Sequence, residues 1–251
     1  MVEQFYDTLA ASYHLLFDDW QQSIERQGNA LERLLVAHET GPPRSLLDCS
    51  CGIGTQAIGL AQRGYTVHAT DISAEAVQRA AAEAARQNVT ITTGVADLRD
   101  LAASVTETFD VVLSCDNALP HLLSDEELHQ AAHHMRARLN ADGLLLASIR
   151  DYDHLTIERP RATMPRVFDG GLRIVFQTWD WAADDQTYTL NLFILRSSGE
   201  TWHTQQFATT YRALLRHELT AILQAHDFAD VRWHMPQDTG YYQPIVTARP
   251  T

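Results

Sequence analysis

A short apolar run, Arg44 to Asp48, passes directly into Cys49-Ser50-Cys51-Gly52-Ile53-Gly54-Thr55, and a small-residue helix pattern then covers Gln56 to Gln62. Strand, glycine turn and helix in that order leave few folds open. Gly52, Gly54 and Ala57 match the GxGxxG/A spacing, which gives a tight turn and lets backbone approach a nucleotide closely. Asp71 closes the next alternating run, Tyr65 to Thr70. A carboxylate at that strand end is placed to accept both hydroxyls of a ribose.

The pattern repeats downstream. Ser73 caps an alanine-rich helix reaching Gln87, and Val89 to Thr93 reads as a third strand with Ala96-Asp97-Leu98 at its end. Phe109 to Cys115 is a fourth strand, followed by the loop Asp116-Asn117-Ala118-Leu119-Pro120-His121. Ser124 and Glu127 form a capping box for a helix to Leu139, and Leu144 to Ile149 is a fifth strand. Nearly all-apolar strands alternating with helices imply a parallel sheet covered on both faces, with the strand ends lining a ligand crevice.

Upstream, Leu9, Tyr13, Leu16, Trp20, Ile24, Gln27, Leu31 and Leu34 recur at helical spacing and predict one amphipathic arm from Phe5 to Leu35, stopped by Gly41-Pro42-Pro43. After Arg150 the period changes to two: Leu172–Trp181, Thr187–Arg196 and Glu200–Thr209 read as an antiparallel meander. Leu214, Leu215, Leu219, Ile222 and Leu223 mark a last helix, and Ala229–Trp233 and Gln243–Ala248 two closing strands. The expected fold is α/β: a doubly wound, Rossmann-like, seven-stranded and mostly parallel sheet, with an N-terminal helical arm and an antiparallel β insertion after strand five. It is expected as one domain, with residues 1–40 as arm, 44–150 as cofactor-binding core, 151–209 as antiparallel cover and 210–251 as closing helix and strands.

Charge narrows the partners. Lys and Arg number 19 against 32 Asp and Glu, a net charge of −13, so the phosphate attraction behind nucleic-acid binding is missing and anionic membranes repel. The start, MVEQFYDTLA, has acids where a secretory signal would be basic, so none is expected, and no run approaches the roughly 20 apolar residues needed to cross a bilayer. Cys49, Cys51 and Cys115 cannot all pair, and free thiols in a reducing, cytoplasmic setting are expected. No metal site is expected: there is no CxxC pair, and His129, His133 and His134 read as a solvated face. The remaining partner is a small molecule, with homo-oligomerisation open.

The crevice charge selects among nucleotides. Asp48 stands four residues before Gly52, where a carboxylate repels a diphosphate and favours a cationic ligand. S-adenosylmethionine carries a sulfonium and an ammonium. Asp48-x-Ser50-x-Gly52-x-Gly54 resembles the first motif of class I S-adenosylmethionine-dependent methyltransferases, with Ser50 in place of that motif's first glycine. Asp71 and Ala96-Asp97-Leu98 resemble their ribose and adenine motifs. The resemblance implies S-adenosylmethionine as cofactor, held by Asp48, Ser50, Gly52, Gly54, Asp71, Ile72, Ala96, Asp97 and Leu98, with Tyr13, Trp20 and Arg26 of the arm alongside.

A narrower resemblance, to the glycine and sarcosine N-methyltransferases, is carried by the arm Tyr13 to Leu35, the loop Asn117 to Leu122, Arg150-Asp151-Tyr152-Asp153-His154-Leu155, Tyr211 on the expected last helix, and Tyr241-Tyr242. It implies that Arg150 grips a substrate carboxylate, that Asn117 touches the substrate, and that Arg26 holds the methionine carboxylate. Tyr152, Tyr211, Tyr242 and His121 complete the expected acceptor site. Tyr6, Tyr13, Trp20, Tyr211, Tyr241 and Tyr242 are candidates for an aromatic wall facing a cation.

Methyl transfer is an in-line displacement in which the protein supplies position and dryness more than a nucleophile. An amine has only to lose its proton, whereas a hydroxyl or carbon acceptor needs a base such as His121, His14 or Tyr211. An amine or amino acid is the favoured acceptor, and O- or C-methylation of a natural-product intermediate the alternative. A nicotinamide oxidoreductase and a non-catalytic cofactor-binding regulator rank lower. An ion pair of Arg150 with Asp151 or Asp153 is the competing reading of that arginine.

Overall fold

The computed structural model describes residues 2–42 and 44–251. Its first strand, β1 (Ser45–Asp48), pairs in parallel with β2 (Thr66–Asp71) on one side and β4 (Phe109–Ser114) on the other. β3 (Thr92–Val95) extends the sheet beyond β2, and β5 (Leu139–Ser148) beyond β4. β11 (Ile245–Pro250) lies antiparallel between β5 and β10 (Phe228–His234). The order β10-β11-β5-β4-β1-β2-β3 reverses direction at β1 and β4, and this switch point opens a crevice at the strands' carboxyl ends. Leu46, Leu47, Val111, Val112, Leu113, Leu145 and Leu146 are fully buried, each contributing about 1.5–3 kcal/mol by leaving water.

Helices α3 (Thr55–Ala61), α4 (Ala74–Arg86), α5 (Asp125–Ala137) and α7 (Arg216–Ala225) follow strands or precede them around this sheet, with the seven-residue α6 (Tyr152–Glu158) after β5 and the four-residue α8 (Pro236–Thr239) between β10 and β11. A second sheet, β6-β7-β8-β9, is antiparallel throughout: β6 (Arg166–Phe168), β7 (Arg173–Trp181), β8 (Thr187–Ser198) and β9 (Thr201–Arg212).

The arm is not one helix. α1 (Val2–Ala10) and α2 (Trp20–Ala37) are separated by a 3-10 turn at Tyr13–Leu16. Asp19 begins α2 afresh, its side chain accepting from Gln22 N at 3.1 Å. Two arginines satisfy carbonyls freed by the break. Arg79 donates to Ala10 O at 2.7 Å, and Arg173 of β7 donates to Leu15 O and, at 2.7 Å, to Phe17 O. α2 ends at Ala37, ahead of Gly41; Pro43 of the expected stop lies outside the described residues.

Two boundaries move for local reasons. Val89 does not open β3, because its N–H closes α4 by donating to Ala84 O at 2.9 Å while Asn88 takes φ 56°. β9 runs on to Arg212, so Tyr211 is a strand residue opposite Tyr188 and not, as expected, part of the last helix. β6 was not expected at all; it is three residues long, too short for periodicity to register. Among the described residues no helix is long and apolar enough to cross a membrane.

Candidate active site

The glycine turn is shaped by its neighbours. Gly54 caps α3 at φ 91°, and a Cβ there would stand 3.1 Å from both Ala80 Cβ and Ile58 Cδ1, so only glycine fits without displacement. Gly52 sits at φ 52° and a Cβ there meets nothing within 4 Å. Its N–H donates to Asp71 Oδ2 at 2.8 Å, and Ser73 N–H donates to Asp71 Oδ1 at 3.0 Å. One carboxylate thus ties the turn to the end of β2 and keeps a lone-pair site free on each oxygen. Burial raises the Asp71 pKa, and these backbone donors oppose the rise.

A cavity of about 380 Å³ opens beside the turn, walled by Ser50, Gly52, Asp71, Ile72, Ala96, Asp97 and Leu98 from the strand ends and by Val2, Glu3 and Tyr6 from α1. Asp97 accepts a two-pronged pair from Arg99, whose Nη1 continues to Glu127 at 2.6 Å. Burial acts against ionisation at Asp97, but the Arg99 fork outweighs it and holds the carboxyl below its ordinary range.

A second chamber of about 850 Å³ lies between the arm, the antiparallel sheet and the C-terminal loop, with Arg26, Arg150, Tyr211, Tyr241 and Tyr242 in its wall. Tyr6, Tyr13 and Asp116 are common to both cavities and mark where they meet. Asp116 takes φ 60°, its N–H donates to Ser148 Oγ at 2.8 Å, and each carboxylate oxygen receives one phenol: Tyr242 on Oδ1 and Tyr13 on Oδ2, the latter at 2.9 Å. Burial lifts its pKa, while the two phenols and the Arg150 charge pull it back.

Arg150 donates to Tyr188 Oη at 3.0 Å and to Gln177 Oε1 at 3.4 Å, with its guanidinium 5.0 Å from the Trp179 ring centre and 5.4 Å from that of Tyr211. The ion pair with Asp151 or Asp153 does not form. Both carboxylates are taken by Arg216, at 2.6 and 3.3 Å. His121 packs against Tyr211 with the rings tilted by 34° and centroids 4.1 Å apart, and its Nε2 lies 2.8 Å from Tyr6 Oη. Burial drives its pKa down to about 3, so the ring is neutral, with Nδ1 unpartnered.

Several expected residues stand away from the cavity walls. Trp20 packs with Ile24, Ile53 and Ile58 and donates its indole N–H to Thr55 Oγ1 at 2.9 Å. Asp48 is 1% exposed beneath the turn, accepting only a 3.4 Å bond from Ser50 N–H and leaving Oδ2 unpartnered. Gly54 faces Ala80. Asn117 is fully engaged within the protein: Oδ1 accepts from Arg150 N–H at 2.9 Å and Nδ2 donates to Tyr152 Oη at 3.0 Å. Tyr152 is itself buried and bonded to Tyr188. These two residues support Arg150 from behind. Asp116 was missed by sequence reasoning; an acid at the carboxyl end of the fourth strand was the available signal.

Residues 46–143 match the family model of a methyltransferase domain. A glycine/sarcosine N-methyltransferase from Parasynechococcus marenigrum (strain WH8102) is 31% identical over 137 residues, 55% of this chain and 48% of that protein, so the match spans about half of that relative. One from Aphanothece halophytica is 26% identical over 71% of this chain and 69% of its own. The solved structure of an amino pentose methyltransferase from Micromonospora echinaspora, with S-adenosylmethionine bound, has a TM-score of 0.73 at 17% identity and covers 91% of this chain and 92% of that one. That last likeness is one of fold.

Proposed function

We propose, because the chain belongs to the class I S-adenosylmethionine-dependent methyltransferases, that it methylates the nitrogen of a small amine or amino acid. The observation that carries this reading is Arg150, a guanidinium without a carboxylate partner in the wall of a chamber that opens onto the nucleotide cavity. A bidentate cation between aromatic rings suits the carboxylate of an amino acid.

The residues present fit the cofactor. Asp71 offers its free lone pairs at ribose position, Ala96 and Leu98 provide apolar walls for a purine, and the orphaned Asp48 oxygen below the turn belongs to a carboxyl that burial keeps protonated up to about pH 8 and that a nearby cation would favour in its ionised form. When bound, S-adenosylmethionine supplies an electrophilic methyl group on a sulfonium sulfur. Arg26, exposed at the edge of the second chamber, would meet the methionine carboxylate. Tyr6 and Tyr13 flank the passage between the cavities, and α1 roofs the first, excluding water from the meeting point. The buried thiols Cys49, Cys51 and Cys115 are free and suit a reducing cytoplasm.

Transfer to a hydroxyl or carbon is the second reading, favoured by one observation: a neutral His121 lines the first cavity and can take an acceptor proton, weakly, because burial holds its pKa to about 3. Incubation of the protein with S-adenosylmethionine and separate pools of amines, amino acids and phenols decides between them by which pool releases S-adenosylhomocysteine. For the amine reading, Arg150→Ala should raise the acceptor KM far more than the cofactor KM. Equal effects on both, or turnover with the phenol pool alone, would overturn it.

A further inference from the structure

We propose that the Asp116 carboxylate is the seat of an onium cation at the point where donor and acceptor meet. The inference rests on the methyltransferase reading but assigns a role to a residue outside it. Three observations carry it. Asp116 belongs to both cavity walls, a position shared only with Tyr6 and Tyr13 among the described residues. Its carboxylate is bonded to two neutral phenols, one on each oxygen, and no Lys, Arg or His stands within ion-pair distance among the described residues. Each oxygen therefore keeps an accepting lone pair and an uncompensated share of the charge. The rings bearing these hydroxyls, with Tyr6 stacked on Tyr13 at 6.4 Å between centroids, add faces that attract cations.

The backbone is committed to this arrangement. Asp116 and Asn117 are consecutive non-glycine residues at φ 60° and 68°, a conformation that persists only when neighbours enforce it. The enforcing bonds are Asp116 N–H to Ser148 Oγ and the Asn117 amide to Arg150 and Tyr152. Asn117 is turned inward and Asp116 is left facing the junction. One carboxylate and two phenols are too few and too protonated to hold a metal ion. An onium group, which needs only charge and ring faces, matches. Two sources share this chemistry: the sulfonium of S-adenosylmethionine and the ammonium of an amine acceptor.

The test compares wild type with Asp116→Asn by calorimetry, using S-adenosylmethionine, S-adenosylhomocysteine, and methylammonium titrated onto the S-adenosylhomocysteine complex. S-adenosylhomocysteine has no sulfonium, so its unchanged affinity shows an intact site. A preference for S-adenosylmethionine over S-adenosylhomocysteine that falls about tenfold in the variant places the sulfonium at Asp116. An unchanged preference with methylammonium binding lost places the acceptor ammonium there. Should Asp116→Asn fail to fold, Tyr242→Phe removes one phenol that favours the ionised carboxylate and should move the same quantities in the same direction by a smaller factor. Unchanged preference and unchanged methylammonium response, or no methylammonium binding to wild type with an unchanged preference, overturns the proposal. Absence of all cofactor binding by wild type would instead remove the methyltransferase reading, and this proposal with it.

Discussion

Replacing Asp48 by Asn should stabilise the cofactor-free protein at alkaline pH. Burial, opposed by the Ser50 N–H and reinforced by the nearby Asp71 charge, raises the Asp48 pKa from its ordinary 3.8 to about 8. At about 1.36 kcal/mol for each tenfold change in proton affinity, ionising this side chain costs the fold about 5–6 kcal/mol. The folded state holds the proton more tightly than the unfolded state does. Stability from this group is therefore complete below about pH 4, declines as pH rises towards 8, and is flat above that. Asn keeps the shape and cannot ionise. Urea unfolding at about pH 5 and about pH 8.5 should show wild type losing about 4 kcal/mol more than Asp48→Asn across that interval. Above about pH 8, where wild type carries a charge beneath the turn and Asn does not, the variant should also bind S-adenosylmethionine more weakly. Parallel pH dependences for the two proteins would refute the reasoning.

Gly54→Ala places a methyl 3.1 Å from Ala80 and Ile58 at φ 91°. It should cost about 1–3 kcal/mol in thermal unfolding and weaken S-adenosylhomocysteine binding. Arg173→Met strips the donors from Leu15 O and Phe17 O and breaks the pair with Asp169. Because Asp169 is exposed, a loss of about 2–3 kcal/mol is expected, with faster hydrogen exchange across residues 10–18. His121 is held neutral by burial down to about pH 3, so acidification below about pH 6.5 charges the unfolded chain first and removes stability. His121→Gln should unfold less steeply with falling pH than wild type.

Much of the core was legible because its signals are local. Gly52 and Gly54 announce the turn, Ser73 and Ser124 cap their helices as read, their hydroxyls accepting from Ala76 and Glu127 N–H at 3.1 and 3.2 Å, and the strand ends carry Asp71 and Asp97. The misread parts depend on distant partners. Tyr211 was assigned to a helix because Leu214, Leu215 and Leu219 follow it at helical spacing, yet pairing with Tyr188 holds it in β9. Asp48 was placed in the crevice by its spacing from Gly52, which gives proximity but not side-chain direction. Asn117 is expected at the substrate from the family resemblance alone, and residue type says nothing of the two successive left-handed backbone conformations that engage Asn117 within the protein and set Asp116 in both cavity walls.

The meeting point of the cavities draws on Tyr6 and Tyr13 near one end of the sequence and Asp116 in its middle, and the second chamber beyond it on Tyr211 and Tyr242 towards the other. During synthesis the glycine turn can close as soon as β1, β2 and α3 have emerged, but the passage has no far wall until residue 242 leaves the ribosome. The site is therefore completed only by the whole chain: the arm that roofs the nucleotide cavity is made first, and the C-terminal phenol that bonds Asp116 is made last.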